Sequence, residues 1–259
     1  MSAREAPIAD FPAQETPDGQ DQQAARVGAR RDLTLLASGP WSMSTGSRSE
    51  RWFRMIVLAH RGWWREPAEK NSWAAFERAF DAGFGVETDV RDHDGQLVVA
   101  HDPPRGSDLI PFGDLLELYV SAGQPGALAI NVKADGLQAP LKALMARAGI
   151  DRGFVFDMSV PDSLGYLAEG FEVFTRHSEF EPQPAFYAEA SGVWIDCFRG
   201  DWITADVARA HLAAGKKVAL VSPELHRRPH ANAWRQWETL GSEVMICTDF
   251  PDAARGIGA

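Results

Sequence analysis

Residues 56–62 read Ile56-Val57-Leu58-Ala59-His60-Arg61-Gly62. A short apolar run with β-branched members predicts a buried strand. The residues directly after the run decide the architecture. An open, doubly wound nucleotide-binding sheet would place a GxGxxG turn at this point. The chain places an imidazole and a guanidinium there instead, so a strand ends in chemistry rather than in a phosphate-cradling loop.

Outward from this strand, short apolar runs alternate with longer amphipathic stretches. That is the pattern of repeated βα units around a parallel sheet. The runs are Ile56–Ala59, Gly85–Val90, Ala127–Val132, Phe154–Phe156, Glu172–Thr175, Gly192–Ile195, Lys217–Val221 and Glu243–Cys247. Helices are expected near Ser72–Ala82, Phe112–Ala122, Leu137–Ala148, Pro161–Ala168, Pro184–Ala190, Thr204–Ala214, Ala231–Leu240 and Pro251–Arg255. Asn71 or Ser72 and Thr204 offer N-caps, and glycines such as Gly83, Gly149 and Gly215 sit where helices should end. Eight such units over residues 55–259 predict an α/β fold of the (β/α)8 TIM-barrel type, at the compact end of its size range.

Residues 1–54 are polar, lack a period and carry seven basic and seven acidic side chains, so they are expected to form a disordered tail. Met55, directly before the first strand, is an alternative translation start. Of the formal charge of -10, all therefore falls on residues 55–259. That balance excludes a broad basic face and with it nucleic acid as a partner. The expected partner is a small molecule. Cys197 and Cys247 lie in apolar runs without metal-ligand spacing and read as reduced core residues. No run approaches a membrane span, and the N-terminus lacks a secretory pattern, so a cytoplasmic location is expected.

In a (β/α)8 barrel, chemistry gathers at the C-terminal strand ends. Those ends supply His60 and Arg61, then Glu87 and Asp89, then His101-Asp102. Asn131 and Lys133, Asp157, Arg176 and Glu179, Asp196, Glu224 and Thr248-Asp249 come next in chain order. Strand alternation puts Glu87 and Asp89 on one face, and Asn131 and Lys133 on one face. Paired carboxylates repel unless a cation lies between them, and oxygen ligands suit Mg2+ or Ca2+. Two histidines can divide proton transfer, and Arg61 with Lys133 can bind phosphoryl oxygens. His93, in a turn, His211, in a helix, and His177, His226 and His230, in loops, are read as surface residues. Trp63, Trp64, Trp194 and Trp202 are expected in or near loops at the strand ends, and Trp73, Trp234 and Trp237 in helix cores or grooves.

His60-Arg61-Gly62, Glu87-Thr88-Asp89-Val90 and Asp94–Asp102 stand in the order and spacing of the glycerophosphodiester phosphodiesterases, a family of the phosphatidylinositol-phospholipase-C-like superfamily. Glu69-Lys70-Asn71-Ser72 is similar to that family's PENT segment, and Thr248-Asp249-Phe250-Pro251 to its closing TD-x-P. The resemblance implies a metal-dependent phosphodiesterase domain over residues 55–259. It makes His60 and His101 the acid–base pair, Arg61 the phosphate grip, and Glu87 and Asp89 metal ligands. The family's third carboxylate is replaced by Asn131, whose amide oxygen brings no charge; Asp157 is the expected compensation. Alternative readings are a sphingomyelinase D-type or lysophospholipase D-type enzyme acting on lipid headgroups, and a catalytically weak phosphate-binding barrel.

Overall fold

The computed structural model describes residues 55–106 and 108–257; the expected tail and the question of the start at Met55 lie outside the described residues. Nine strands and seven α-helices are found among them. The strands are β1 (Ile56–His60), β2 (Gly85–His93), β3 (Gln96–Val99), β4 (Leu128–Val132), β5 (Gly153–Phe156), β6 (Phe174–His177), β7 (Gly192–Ile195), β8 (Lys217–Val221) and β9 (Val244–Thr248). The helices are α1 (Trp73–Asp81), α2 (Phe112–Ser121), α3 (Gln138–Ala148), α4 (Val160–Ala168), α5 (Ala205–Ala213), α6 (Ala231–Trp237) and α7 (Pro251–Ala254).

All strands but β3 are parallel to their neighbours, in the order β5-β4-β2-β1-β9-β8-β7-β6. The two ends of this ribbon meet at a bridge between Val155 and Val173, where the Val155 N–H donates to Glu172 C=O at 2.9 Å. The ring is thus a nearly closed eight-stranded barrel with helices between its strands. Alternation sorts each strand into two faces. Leu58, Phe154, Phe156, Phe174, Trp194 and Cys247 fill the ring's interior. Val57, Val86, Ile130, Ile195, Leu220 and Val244 face the helices in a second, larger core.

The interior floor is aromatic: Phe154 stacks on Phe174 and Phe156 on Trp194, each pair at 3.9 Å between ring centroids. Gly192 is needed beneath it, because a Cβ there would lie 2.4 Å from the Phe174 ring. A ring held by stacking cannot retreat freely. Gly192→Ala is therefore expected to lower stability by about 1–3 kcal/mol, measured by urea denaturation.

The structure departs from expectation at several places. No helix forms over Pro184–Ala190; the segment is a series of turns with Phe186 at φ 52°. Its backbone is claimed by tertiary contacts, with Lys216 Nζ donating to Ala188 C=O at 3.0 Å and Ala190 C=O at 2.7 Å. The segment leading to His101, absent from the expected runs, forms a separate antiparallel strand, β3. The reversal is made by Asp94 and Gly95, both at positive φ, 47° and 77°. His93 accordingly ends β2 rather than lying in the turn. Trp194 is inside the barrel rather than in a loop, and Trp73 is exposed. Ser72 and Thr204 do cap α1 and α5, accepting from Ala75 and Val207 N–H. Both cysteines are free and buried.

Candidate active site

One residue pair above the aromatic floor, inward faces turn from apolar to polar on β1, β4, β6, β7 and β9. His60 comes two residues after Leu58, Asn131 after Ala129, Arg176 after Phe174, Asp196 after Trp194 and Asp249 after Cys247. Parity therefore builds a polar ring at the C-terminal mouth of the barrel.

His60 is held from one side. Its Nδ1 lies 2.6 Å from Asp249 Oδ1, and its Nε2 faces Glu87 Oε2 at 3.8 Å. Burial raises the Asp249 carboxyl, but the hydrogen bond and charge of His60, together with Lys70, outweigh it and leave the group below the usual range. An ionised Asp249 can only accept, so Nδ1 carries a proton toward it and Nε2 is the ring atom turned to the mouth. Asp249 is itself fixed by Glu224, which accepts from its backbone N–H at 3.2 Å and from Thr248 Oγ1. Lys70 Nζ sits 3.3 Å from Asp249 Oδ2 and 4.5 Å over the Trp64 ring.

The Arg61 backbone is in the left-handed region at φ 58°, and Gly62 adds a second such residue at 83°. A Cβ on Gly62 would come within 2.8 Å of Ala75 of α1, so the turn that aims Arg61 inward needs a glycine there. Arg61 Nε reaches Asp89 Oδ2 at 3.0 Å, Asn71 Nδ2 donates to the same oxygen at 2.9 Å, and Lys133 Nζ lies 3.5 Å from Oδ1. Asp89, at 0 % exposure, is the most enclosed charge in the mouth. In register, His60 is opposite Glu87 and Asp89 opposite Asn131.

Asn131 Nδ2 donates to Glu87 Oε1 at 3.2 Å. Glu87 Oε2, Asp89 Oδ1 and Asn131 Oδ1 are buried with no hydrogen-bond donor. Burial first, then the charge of Asp89, pushes the Glu87 carboxyl up. Three under-satisfied oxygens on adjacent strands, two of them carboxylate, fit a hard cation. Among the described residues no three His, Cys, Asp or Glu side chains gather as a metal cage, so the amide oxygen of Asn131 is required to complete such a set.

The other expected site residues are placed less centrally. His101 is tied to the mouth through backbone, with Ala100 N–H donating to Asp89 C=O at 3.2 Å and Arg91 Nε to His101 C=O at 3.1 Å. Its ring is exposed and meets Asp102 Oδ1 at 2.8 Å. Asp157, at φ 67°, turns to Arg176, with Lys133 Nζ 3.9 Å away. Several histidines expected at the surface are instead engaged. His211 is buried and meets His177 Nδ1 at 2.9 Å and Tyr187 Oη at 2.8 Å. His226 Nε2 lies 2.5 Å from Asp196 Oδ1, and His230 stands beside Trp234 and Phe250.

Glu179, beyond β6, accepts from the backbone N–H groups of Phe198, Arg199 and Gly200 at 3.0–3.1 Å. Burial raises its carboxyl, but these bonds outweigh it and hold it at about 2. A depressed carboxyl contributes stability above its unfolded value, near 4.5, and loses it as pH falls through about 2. Glu179→Gln is thus expected to flatten the stability profile between those two values, as measured by acid titration of urea midpoints.

No protein-family model matches the chain, and no curated protein matches it. Solved structures do. A protein of Galdieria sulphuraria assigned to the glycerophosphodiester phosphodiesterases aligns with TM-score 0.64 and 16% identity, over 78% of this chain and 97% of that one. The glycerophosphodiester phosphodiesterase of Agrobacterium tumefaciens gives 0.60 and 19%, over 78% and 100%. A glycerophosphoryl diester phosphodiesterase of Parabacteroides distasonis gives 0.54 and 13%, over 80% and 86%. The chain thus has the barrel fold of the glycerophosphodiester phosphodiesterases.

Proposed function

We propose that the chain is a phosphoric diester hydrolase that cleaves glycerophosphodiesters to glycerol 3-phosphate and an alcohol, using a divalent cation. The observation that carries the reading is the gathering of Glu87 Oε2, Asp89 Oδ1 and Asn131 Oδ1, buried and without a hydrogen bond, on neighbouring strands beside the His60–Asp249 pair. Glu87, Asp89 and Asn131 would hold Mg2+ or Ca2+; Asp157 is left out of the set because Arg176 takes its carboxylate. Bound there, such a cation would neutralise phosphoryl oxygens.

The chain's own groups do the rest. Arg61 and Lys133, gathered around Asp89, orient the phosphate by charge-assisted bonds. His60 Nε2 takes the proton from the attacking hydroxyl, whether water or the neighbouring glycerol hydroxyl of the substrate. His101, on the loop pinned to Asp89, gives a proton to the leaving oxygen. When attack by glycerol hydroxyl yields a cyclic phosphate, the two histidines exchange roles as water opens it.

The test is hydrolysis of glycerophosphocholine, glycerophosphoethanolamine, glycerophosphoglycerol and a lysophospholipid by the full chain, with Mg2+, Ca2+ or chelator. Turnover of the glycerophosphodiesters that stops with chelator is expected. A rate indifferent to chelator removes the cation, exclusive turnover of the lysophospholipid favours a lipid-headgroup enzyme, and turnover of none favours a binding barrel. Among the described residues no helix is long and apolar enough to cross a membrane.

A further inference from the structure

Across the ring from β1, the mouth is built differently. Arg176 and Asp196 stand on β6 and just past β7, one residue pair above Phe174 and Trp194 of the floor. Asp196, 5 % exposed, is engaged by His226 at 2.5 Å. Phe198 lies between His226, 4.7 Å from ring to ring, and the Arg176 guanidinium, 5.6 Å from its ring. Phe180, largely exposed, continues this apolar face 5.8 Å from Phe198.

The carboxylates in this half are already matched. Asp157 is paired with Arg176, Asp196 with His226, Glu181 with Arg176 and Ser178, and Glu179 with three backbone N–H groups. An ammonium headgroup would find its carboxylates engaged and a guanidinium in its way. A hydroxylated ligand would find donors and acceptors. Arg176 Nε is buried with no acceptor in hydrogen-bond range, Glu181 Oε2 being 3.8 Å away, a state that costs free energy until an oxygen arrives. The Asp196–His226 pair offers polar edges, and half-buried Phe198 adds apolar surface for the C–H groups of a polyol.

We propose that Arg176, Asp196, Phe198 and His226 form the alcohol subsite and that it takes a neutral polyhydroxy alcohol. The preferred diesters then carry glycerol, a cyclitol or a sugar on the second ester rather than an aminoalcohol. This rests on the hydrolase reading above and adds the substrate class to it.

Two measurements on the full chain with divalent cation test it. In the first, kcat/KM for glycerophosphoinositol and glycerophosphoglycerol is expected to exceed that for glycerophosphocholine and glycerophosphoethanolamine by at least about tenfold, and Phe198→Ala to collapse the ratio to about twofold or less. Asp196→Asn should do the same, and Phe198→Ala stands in if burial of Asp196 prevents that variant from folding. In the second, inositol phosphate and phosphocholine compete for the wild-type and Phe198→Ala proteins in a calorimeter, a readout independent of turnover. Equal or faster cleavage of the aminoalcohol diesters overturns the subsite while leaving the hydrolase intact. If no diester is cleaved the hydrolase reading fails instead. The binding arm then decides alone: inositol phosphate held more tightly, with the difference lost in Phe198→Ala, supports the polyol subsite, and equal binding overturns it.

Discussion

Exchanging His60 for glutamine is expected to lower kcat for a glycerophosphodiester about 100- to 10,000-fold with little change in KM, the range for loss of a positioned acid–base group. The reason lies in the two ring nitrogens. Asp249 lies 2.6 Å from one and the other faces Glu87, so the ring proposed as the base has one nitrogen held and one turned to the mouth. Glutamine keeps a donor toward Asp249 but cannot take a proton. Asp249→Asn should bring a loss of about 100-fold or more, because an amide can present N–H to Nδ1 and move the ring proton to Nε2. Steady-state kinetics on both variants, with thermal melts to confirm folding, checks this. A His60→Gln protein retaining more than about a tenth of kcat would take His60 out of the chemistry.

Asp89→Ala carries the largest expected cost in stability. The Asp89 carboxylate receives Arg61 at 3.0 Å, Asn71 at 2.9 Å and Lys133 at 3.5 Å. Its removal leaves two cations in a largely enclosed mouth without their shared anion. Breaking a buried pair from one side typically costs about 3–5 kcal/mol, and a loss of that size is expected in equilibrium urea denaturation at neutral pH. On the proposed function activity should vanish with it, since the same residue positions Arg61 and Lys133. A variant that unfolds at the wild-type midpoint would show that Arg61 and Lys133 are satisfied by solvent.

The barrel strands were legible because parallel strands buried on both faces spell continuous apolar runs, and each run overlaps the strand it announced. Parity then made the inward residues readable: Glu87 with Asp89, and Asn131 with Lys133, needed only the two-residue repeat. The partners of those residues were not readable. His60 and Asp249 are 189 residues apart in sequence, and only closure of the barrel brings β9 beside β1. The Asp196–His226 pair was hidden for the same reason, although Asp196 directly after Val193-Trp194-Ile195 was a usable signal. Pro184–Ala190 failed as a helix because contacts from Lys216 and His211, distant in sequence, outweigh local propensity. His211 looked like a surface residue because one helical turn does not reveal which side meets the barrel.

The seam between β5 and β6 has a mechanical meaning. Elsewhere the ring is laced by ladders of paired residues; here the backbones join at one bridge, Val155 with Val173, backed by the Phe154–Phe174 stack and the Asp157–Arg176 pair. With the fewest backbone hydrogen bonds between neighbouring strands, this seam should show the fastest amide exchange among the barrel strands. The seam runs up to Asp157 and Arg176, while the carboxylates beside His60 sit on fully laddered strands. On the proposed function, yielding at that seam would alter the Arg176 side of the mouth and leave the spacing of His60, Glu87 and Asp249 unchanged.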